Sequence, residues 1–371
     1  MEKVLLIYDQ DINYDFGKAH PMNPERIKLT YRLIESLNLL EKPEVITARA
    51  PAAEEDELRL VHTQSYIEAV KEASKGKANW YFGLGTGDNP VFPEMHQASA
   101  KIVGASLLAA RMLIEGKVSH AFNPWGGLHH ALSTKASGFC IYNDAAVAIA
   151  WILKEGKKVA YVDIDAHHGD GVQWIFYSNP NVLTISLHES GYYLFPGSGF
   201  TSEKGADEGA GFSVNIPLDP EATESDYLLA IQEIVKPLIE RFKPDILVTQ
   251  NGCDSLERDP LTHLRVSLKG YFEIVKELHQ LAHRLTEGKI LALGGGGYDA
   301  SYSVPIAWAS LFADLCHTKP PEFLPDTYLK LLKESFNLAS PQPFWGKITS
   351  SKPALPSTEK IIAQLKKEFF E

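Results

Sequence analysis

Residues 161–174, YVDIDAHHGDGVQW, bring three aspartates and two histidines together directly behind an apolar run. Charged groups crowded at such a place lose solvation and repel one another unless they share an ion of opposite sign. Asp165 and His167 lie two residues apart, so an extended segment can turn both side chains toward one metal ion. With Asp254 they would form the ligand set of a catalytic zinc site, which also accepts Fe(II), Co(II) or Mn(II). The alternative is that Asp165 caps a helix and His167 fills a polar edge.

A second cluster, GGLHHA, contains the adjacent histidines His129 and His130, and the first stretch has two further aspartates, Asp163 and Asp170. A carboxylate bonded to one imidazole nitrogen fixes the tautomer and raises the basicity of the other nitrogen. Two histidines and two aspartates therefore predict two dyads, one taking a proton from metal-bound water and one stabilising developing charge. A histidine pair without a catalytic role is the alternative.

Three further motifs contain aromatic residues among glycines. Tyr298 follows the glycines of LGGGGYD, a run that lacks the spacing of a phosphate-binding loop and of the dinucleotide fingerprint. Its hydroxyl could stabilise the oxyanion formed from a substrate carbonyl, although a structural tyrosine is the alternative. Phe139 in SGFCIYND and Phe195 in GYYLFPGSG could form the walls of a narrow tunnel, or belong to the core. Asp88 in GTGDNP is most simply a turn residue.

Short apolar runs alternate with helical patterns along the chain, which predicts a parallel sheet covered by helices on both faces. The predicted strands are 4–8, 118–122, 159–164, 182–188, 213–216, 246–250 and 290–293. The predicted helices are 24–39, 93–115, 144–154, 225–242, 268–285 and 300–315. Polar clusters follow four of the strands, and because ligands bind at the carboxyl edge of such sheets, these four loops should converge.

Composition narrows the class of protein. The chain has 371 residues, a net charge of −11 and no basic run, which argues against nucleic acid or an anionic membrane as a partner. Its three cysteines form no CxxC pair, and the N-terminus has neither a signal peptide nor a membrane span. No linker or repeat divides the chain. We therefore expect one cytoplasmic α/β domain.

The motifs GGLHHA, GFCIYND, VDIDAHHGDGV, SLHESGYYLFPGSG, QNGCDS and LGGGGYD, taken in this order, resemble those of the histone deacetylase superfamily. The bacterial acetoin-utilisation branch is the most similar, and the likeness extends over about residues 8–308, including AHPMNPERI near the N-terminus. It implies the arginase/deacetylase fold, one α/β domain over residues 1–371 whose central parallel sheet has about eight strands flanked by helices. Residues 318–371 would be a helical extension.

The resemblance also implies roles at matching positions. Zinc would bind Asp165, His167 and Asp254, and Tyr298 would polarise the acetyl carbonyl. The dyads would be His130 with Asp170, as general base and then acid, and His129 with Asp163, as electrostatic helper. Substrate contacts would come from Asp88, Gly138, Phe139, Phe195 and Leu261, and Arg26 would lie near an exit route for acetate. A structural potassium ion would be bound at Asp163, Asp165, His167, Ser186 and Leu187.

Two positions depart from the family pattern. Leu128 stands where many relatives have glycine before the histidine pair, so the tunnel floor is expected to differ. Leu261 stands where relatives specialised for acetylpolyamines have an acidic gatekeeper, which favours acetyl-lysine in proteins as the substrate.

The sequence thus predicts hydrolysis of N6-acetyl-lysine to lysine and acetate by a metal-activated water. The expected partner is an acetylated protein or peptide, for which the family suggests an acyl-CoA synthetase. An acetylpolyamine amidohydrolase, a binding module without turnover and a two-metal arginase-like enzyme are the alternatives.

Overall fold

A sheet of eight parallel strands forms the centre of the computed structural model, which describes residues 2–336, 343–346 and 352–371. The strands are β1 (Val4–Ile7), β2 (Val45–Ala48), β3 (His120–Asn123), β4 (Val159–Asp163), β5 (Val182–Glu189), β6 (Ser213–Leu218), β7 (Ile246–Gln250) and β8 (Ile290–Leu293). Their order across the sheet is β2-β1-β3-β8-β7-β4-β5-β6, and every neighbouring pair is parallel. The predicted fold class is confirmed.

Burial explains which strands the apolar pattern could predict. Strands such as β4 and β7 are buried along their whole length, and strands covered on both faces read as continuous apolar runs. The edge strand β2, with sequence VITA, pairs only with β1 and is half exposed. It has no such run, and the strand prediction missed it. The predicted strand 118–122 was also wrong at its start, because β3 begins at His120.

Helices flank the sheet. They are α1 (Glu25–Ser36), α2 (Glu55–Leu58), α3 (Gln64–Ala73), α4 (Met95–Ile114), α5 (Asp144–Lys154), α6 (Asp170–Ile175), α7 (Glu224–Ala230), α8 (Lys236–Phe242), α9 (Leu268–Leu285), α10 (Ser303–Leu315), α11 (Asp326–Phe336) and α12 (Pro356–Phe370). The predicted helix 225–242 is divided, because a π-helical segment at Ile231–Val235 joins α7 to α8. The short α2, α3 and α6 were not predicted. Helix α10 packs against both α1 and α9, and α4 packs against α5.

Helix α4 lies in the core. Among the described residues it is the helix with the length and apolar character to cross a membrane, but 67% of its apolar stretch is buried inside the protein. It packs against α5 and β3. Its apolar character is therefore explained by contacts within the fold.

The C-terminal segment returns to the edge of the sheet. Helix α12 packs against β6, and the Thr358 hydroxyl donates a 2.7 Å hydrogen bond to Asp226 Oδ1 of α7. Two parts of the predicted extension, 337–342 and 347–351, lie outside the described residues. Helix α12 covers most of the terminal segment in which a helix was expected.

The four polar clusters follow β3, β4, β7 and β8. These strands are consecutive neighbours in the order β3-β8-β7-β4. Because all four run in the same direction, the loops that follow them share one edge at the middle of the sheet. This edge contains the candidate active site.

Candidate active site

The three predicted metal ligands, Asp165, His167 and Asp254, meet just beyond β4 and β7 and are buried. His167 Nδ1 lies 3.1 Å from Asp165 Oδ1 and 2.8 Å from Asp254 Oδ2. A tetrahedral ion with bonds of about 2.0 Å holds neighbouring ligand atoms about 3.3 Å apart. The three atoms therefore fit one small divalent cation.

The surrounding chain orients both carboxylates. Asp165 Oδ2 accepts hydrogen bonds from Gln250 Nε2 and from the Gly296 amide, each at 2.7 Å, while Asp254 Oδ1 accepts one from a backbone amide at 2.7 Å. The other oxygen of each carboxylate faces His167. Burial alone would lower the pKa of His167, but the hydrogen bonds and charges of the two aspartates outweigh it and raise that pKa well above its ordinary value. The cluster is an environment that favours a cation.

Two histidine–aspartate dyads lie beside the ligand cluster. His129 Nδ1 is 2.7 Å from Asp163 Oδ2, and His130 Nδ1 is 2.6 Å from Asp170 Oδ1. The Nε2 atoms of the two histidines are 3.1 Å apart, and the His130 ring is 5.9 Å from the His167 ring. The carboxylates thus bind the Nδ1 atoms and leave the Nε2 atoms facing the site.

The two dyads differ in protonation. Burial opposes charge on His129, but Asp163 and Asp165 outweigh it and raise the pKa of His129 to about 9. Burial, and then the charge of His129, lower the pKa of His130 to about 4. In the metal-free site at neutral pH, His129 therefore favours the imidazolium form and His130 the neutral imidazole.

Tyr298 follows the glycine run, and its ring lies 6.4 Å from the His167 ring. Its backbone amide donates a 2.8 Å hydrogen bond to Asp259 Oδ2. Burial, and then the charge of Asp254, raise the pKa of the Tyr298 phenol well above its usual range. The phenol keeps its proton and can donate a hydrogen bond. A Cβ at Gly296 would lie 2.0 Å from Asp254 Oδ2, so the close approach of this loop requires glycine.

Phe139 and Phe195 contact different parts of the site. The Phe139 ring is 5.8 Å from the Tyr298 ring. The Phe195 ring is 5.0 Å from the His130 ring and 6.5 Å from the His167 ring, and its side chain is 42% exposed. One ring therefore lies on the tyrosine side and the other on the dyad side, at the solvent boundary.

Gly138 allows the loop to approach the second dyad. Its φ is +51°, and an added Cβ would lie 2.4 Å from His130 Cδ2 and 2.9 Å from Phe195 Cε1. We expect Gly138→Ala to displace His130 and to lower kcat about 100-fold, the cost of misplacing a catalytic group by about 1 Å. Turnover of an acetyl-lysine peptide would measure this.

Gly197→Ala is the matched control. Gly197 has a φ of +80°, but an added Cβ meets nothing nearer than 3.8 Å. Both variants impose left-handed strain on alanine, so an equal loss of turnover would show that backbone strain, and not the clash with His130, is responsible.

The rim residues lie beyond these rings. Asp88 is exposed, and its carbonyl accepts a 3.2 Å hydrogen bond from His20, whose ring is 4.5 Å from that of Phe139. Leu261 is partly exposed, and its amide donates a 2.9 Å hydrogen bond to Asp259 Oδ1. Burial, followed by the charge of a metal-ligand aspartate, raises the pKa of Asp259 to about 8.

Arg26 is buried behind the glycine run. Its Nη1 donates a 2.9 Å hydrogen bond to the Gly297 carbonyl, and its guanidinium carbon lies 5.0 Å from the centre of the Trp308 ring. The residue is next to the tyrosine loop, and its role in acetate release remains a prediction.

The residues expected to bind potassium lie on β4, β5 and the loop after β4. Asp163 of β4 is directly opposite Ser186 of β5, and Leu187 follows it. Both Asp163 oxygens accept hydrogen bonds within the chain, and the Ser186 hydroxyl lies 2.8 Å from His188 Nδ1. A potassium ion at Asp163, Asp165, His167, Ser186 and Leu187 remains a prediction.

Several residues that support the site were not singled out from the sequence. Asp144 accepts the Leu128 amide at 2.8 Å, Asn143 donates to the His129 carbonyl at 3.1 Å, and the Tyr161 hydroxyl donates to the first dyad's carboxylate at 2.7 Å. Asn143 and Asp144 end the motif GFCIYND, which could have indicated them. Leu128, where many relatives have glycine, is buried at this anchored turn.

His168, which the sequence left without a role, joins α6 to the loop of Phe195. Its Nε2 lies 3.1 Å from Gln173 Oε1 and its Nδ1 lies 2.9 Å from Ser198 Oγ. Since an amide oxygen only accepts, Nε2 carries the proton and Nδ1 accepts from the serine. This histidine therefore holds the loop on which Phe195 lies.

Eight parallel strands with this site at their carboxyl edge define the arginase/deacetylase class of fold. Within that class the chain belongs to the histone deacetylase family, since the family model described as the histone deacetylase domain matches residues 20–315. The resemblance found in the motifs is confirmed, and the chain is a hydrolase of the deacetylase family.

Named relatives and solved structures agree with this. The acetoin utilization protein AcuC of Bacillus subtilis (strain 168) is 43% identical over 353 residues, covering 94% of this chain and 90% of that protein. AcuC of Staphylococcus aureus (strain MRSA252) is 43% identical over 321 residues, covering 85% and 82%. The crystal structure of a histone deacetylase homologue complexed with SAHA has a TM-score of 0.88 at 29% identity, covering 99% of this chain and 100% of that chain. A homologue from Aquifex aeolicus has a TM-score of 0.85 at 30% identity, covering 98% and 100%.

Proposed function

We propose that the protein is a cytoplasmic, zinc-dependent deacetylase that hydrolyses N6-acetyl-lysine in proteins to lysine and acetate. The observation that supports this most strongly is the meeting of a metal-ligand cluster, a neutral histidine and a protonated tyrosine in one buried site. Each of the three meets one need of amide hydrolysis: an electrophile, a base and an oxyanion donor.

Asp165, His167 and Asp254 would hold the zinc, which when bound lowers the pKa of water and polarises the acetyl carbonyl. His130 takes a proton from the attacking water at Nε2, because its Nδ1 is occupied by Asp170. The same nitrogen then gives the proton to the departing lysine amine.

His129 and Tyr298 stabilise the negative charge that develops during the reaction. The imidazolium of His129 lies 3.1 Å from His130 Nε2, so its positive charge stabilises the negative charge that develops around the attacking oxygen. The Tyr298 hydroxyl donates a hydrogen bond to the carbonyl oxygen as that atom becomes an oxyanion. Both groups are fixed before the reaction, because Asp163 holds the first and the Asp259 bond to its amide holds the second.

The chemistry of the rim supports an acyl-lysine side chain as the substrate. The rings of Phe139 and Phe195 suit the alkyl stem of lysine, and the exposed Asp88 carboxylate can accept a peptide N–H at the entrance. Beside Leu261, both Asp259 oxygens already accept backbone N–H groups. This carboxyl is therefore engaged within the chain and not presented to a second ammonium of a polyamine.

Substrate preference tests the proposal. At equal concentration we expect faster acetate release from an acetyl-lysine peptide than from acetylspermidine, and Leu261→Glu should move the ratio toward acetylspermidine. Leu261→Met, which adds no charge, is the control. If the unaltered protein strongly prefers acetylspermidine, its substrate is an acetylpolyamine and the proposal of acetyl-lysine is wrong. An acetylated acyl-CoA synthetase is the protein substrate to assay first.

Acetate release with and without a chelator separates an enzyme from a binding module. A module would bind acetyl-lysine peptide without releasing acetate, and the chelator would change binding alone. Release that stops with chelator and returns with zinc supports the proposal.

A further inference from the structure

Four histidines meet at the other edge of the sheet. His120 is the first residue of β3, whereas the active-site loop follows the last residue of that strand. His279 and His283 lie one turn apart on α9, and His317 follows α10. Each offers a nitrogen within 4.8 Å of the others. Three separate elements thus bring imidazoles to one point.

Hydrogen bonds assign the tautomers of the two buried members. His120 Nδ1 lies 2.9 Å from the Leu315 carbonyl, which can only accept, so Nδ1 carries the proton. His279 Nδ1 lies 2.8 Å from Asp314 Oδ2, and a carboxylate fixes the same tautomer there. In their neutral forms both residues therefore present a lone pair at Nε2.

These lone pairs face one another. The Nε2 atoms of His120 and His279 are 3.3 Å apart, and His283 Nε2 is 3.0 Å from His279 Nε2. A proton on His279 Nε2 could bond to only one of the two neighbours. Burial, and then the charge of His279, lower the pKa of His120, which disfavours an imidazolium at His120. Hydrogen bonds alone therefore do not satisfy all of these Nε2 atoms.

A shared metal ion removes the conflict. Tetrahedral zinc, with Zn–N bonds of about 2.0 Å, places neighbouring nitrogens about 3.3 Å apart, in agreement with the 3.3 and 3.0 Å separations. The contact of His279 with Asp314 has the form of a carboxylate–histidine–metal relay. Glu2 adds negative charge, with Oε2 3.0 Å from His317 Nε2 and Oε1 3.5 Å from His283 Nδ1.

We propose that His120, His279, His283 and His317 form a second metal site, for a divalent transition ion of the zinc class. Imidazole ligands select such ions over magnesium or calcium. With four protein ligands the site is closed and structural, and it cross-links β3, α9 and the segment after α10. His283 and His317 reach the surface, in a groove that solvent ions can enter.

Metal stoichiometry tests the site. Full-length protein without a polyhistidine tag is dialysed against zinc and analysed for bound metal. We expect two equivalents in the unaltered protein, and one in His283→Gln/His317→Gln. Asp254→Asn should also retain one, and the triple variant none. His96→Gln, a partly buried histidine of α4 outside the cluster, should retain two.

Two results would overturn the site. One is that His283→Gln/His317→Gln binds as much zinc as the unaltered protein. The other is that the unaltered protein binds a single equivalent that Asp254→Asn abolishes. Folding of each metal-free variant is checked by circular dichroism, so that lost binding is not lost structure.

Thermal unfolding gives a readout independent of the deacetylase. Added zinc should raise the Tm of Asp254→Asn, and the same addition should leave the triple variant unchanged. Acetate release by zinc-loaded His283→Gln/His317→Gln should match that of the unaltered protein. Absence of the Tm shift would refute the structural role even if the deacetylase proposal held.

Discussion

Tyr298→Phe is expected to lower kcat on an acetyl-lysine peptide by about 100-fold or more, the cost of losing one oxyanion donor. The hydroxyl is the only group removed, so the ring contacts with Phe139 and His167 should persist. The amide bond to Asp259 involves backbone and is also retained. Because the interaction strengthens as charge develops on the carbonyl oxygen, the loss should appear in kcat more than in KM.

Tyr302→Phe is the matched control. Tyr302 lies four residues further on, is partly exposed and stacks with the Arg258 guanidinium, 4.7 Å from its ring centre. Removing its hydroxyl should leave kcat within about twofold, as is usual for surface changes of this size. Metal content is measured in both variants. Full turnover by Tyr298→Phe with unchanged metal content would show that the phenol does not act on the carbonyl.

Much of this site could be predicted because its chemistry is concentrated in short segments at strand ends. Asp165 and His167 lie two residues apart in one loop, and the parallel sheet brings Asp254 to the same edge. The sequence alone could not pair His129 with Asp163 and His130 with Asp170. Those partners lie 34 and 40 residues apart, so the pairing came from the family resemblance.

Other features of the active site depend on the three-dimensional packing of the chain and leave no recognisable pattern in the sequence. Asp259 holds the Tyr298 loop through a backbone amide, and Gln250 orients Asp165 from inside a buried strand. Neither residue type is unusual at its position in the sequence. The unequal protonation of the two dyads likewise depends on burial and on the summed charge of neighbouring aspartates. These effects become visible only when the elements are packed together.

The four-histidine cluster likewise could not be predicted from the sequence. Its members lie at positions 120, 279, 283 and 317, and only the pair on α9 has a recognisable spacing. A histidine pair one helical turn apart on an amphipathic helix is ordinary for a solvated face. The convergence requires the register that places the start of β3 beside α9 and the end of α10.

Asp254→Asn is expected to remove one equivalent of bound zinc and to reduce acetate release to the level of chelated protein. Asparagine keeps an oxygen that can accept the backbone amide now bound to Asp254 Oδ1 at 2.7 Å. It loses the negative charge that, with Asp165, balances a divalent ion. Bound metal and released acetate are measured on the same sample. Asp245→Asn, on the partly exposed residue before β7, is the control that should change neither.

The thermal stability of Asp254→Asn, measured with and without zinc, distinguishes a metal-ligand role of Asp254 from a purely structural role. In the metal-free protein, burial and the charge of Asp165 raise the pKa of Asp254 to about 6, so the ionised carboxylate is held in an unfavourable environment. Metal-free Asp254→Asn loses this unfavourable charge but also one of the two carboxylates that stabilise charge on His167, so its unfolding temperature should stay close to that of the metal-free unaltered protein. At zinc about 100-fold above Kd, this site stabilises the unaltered protein by about 2.7 kcal/mol, and the variant lacks that increment. An aspartate needed only for packing would lower the stability of both forms equally.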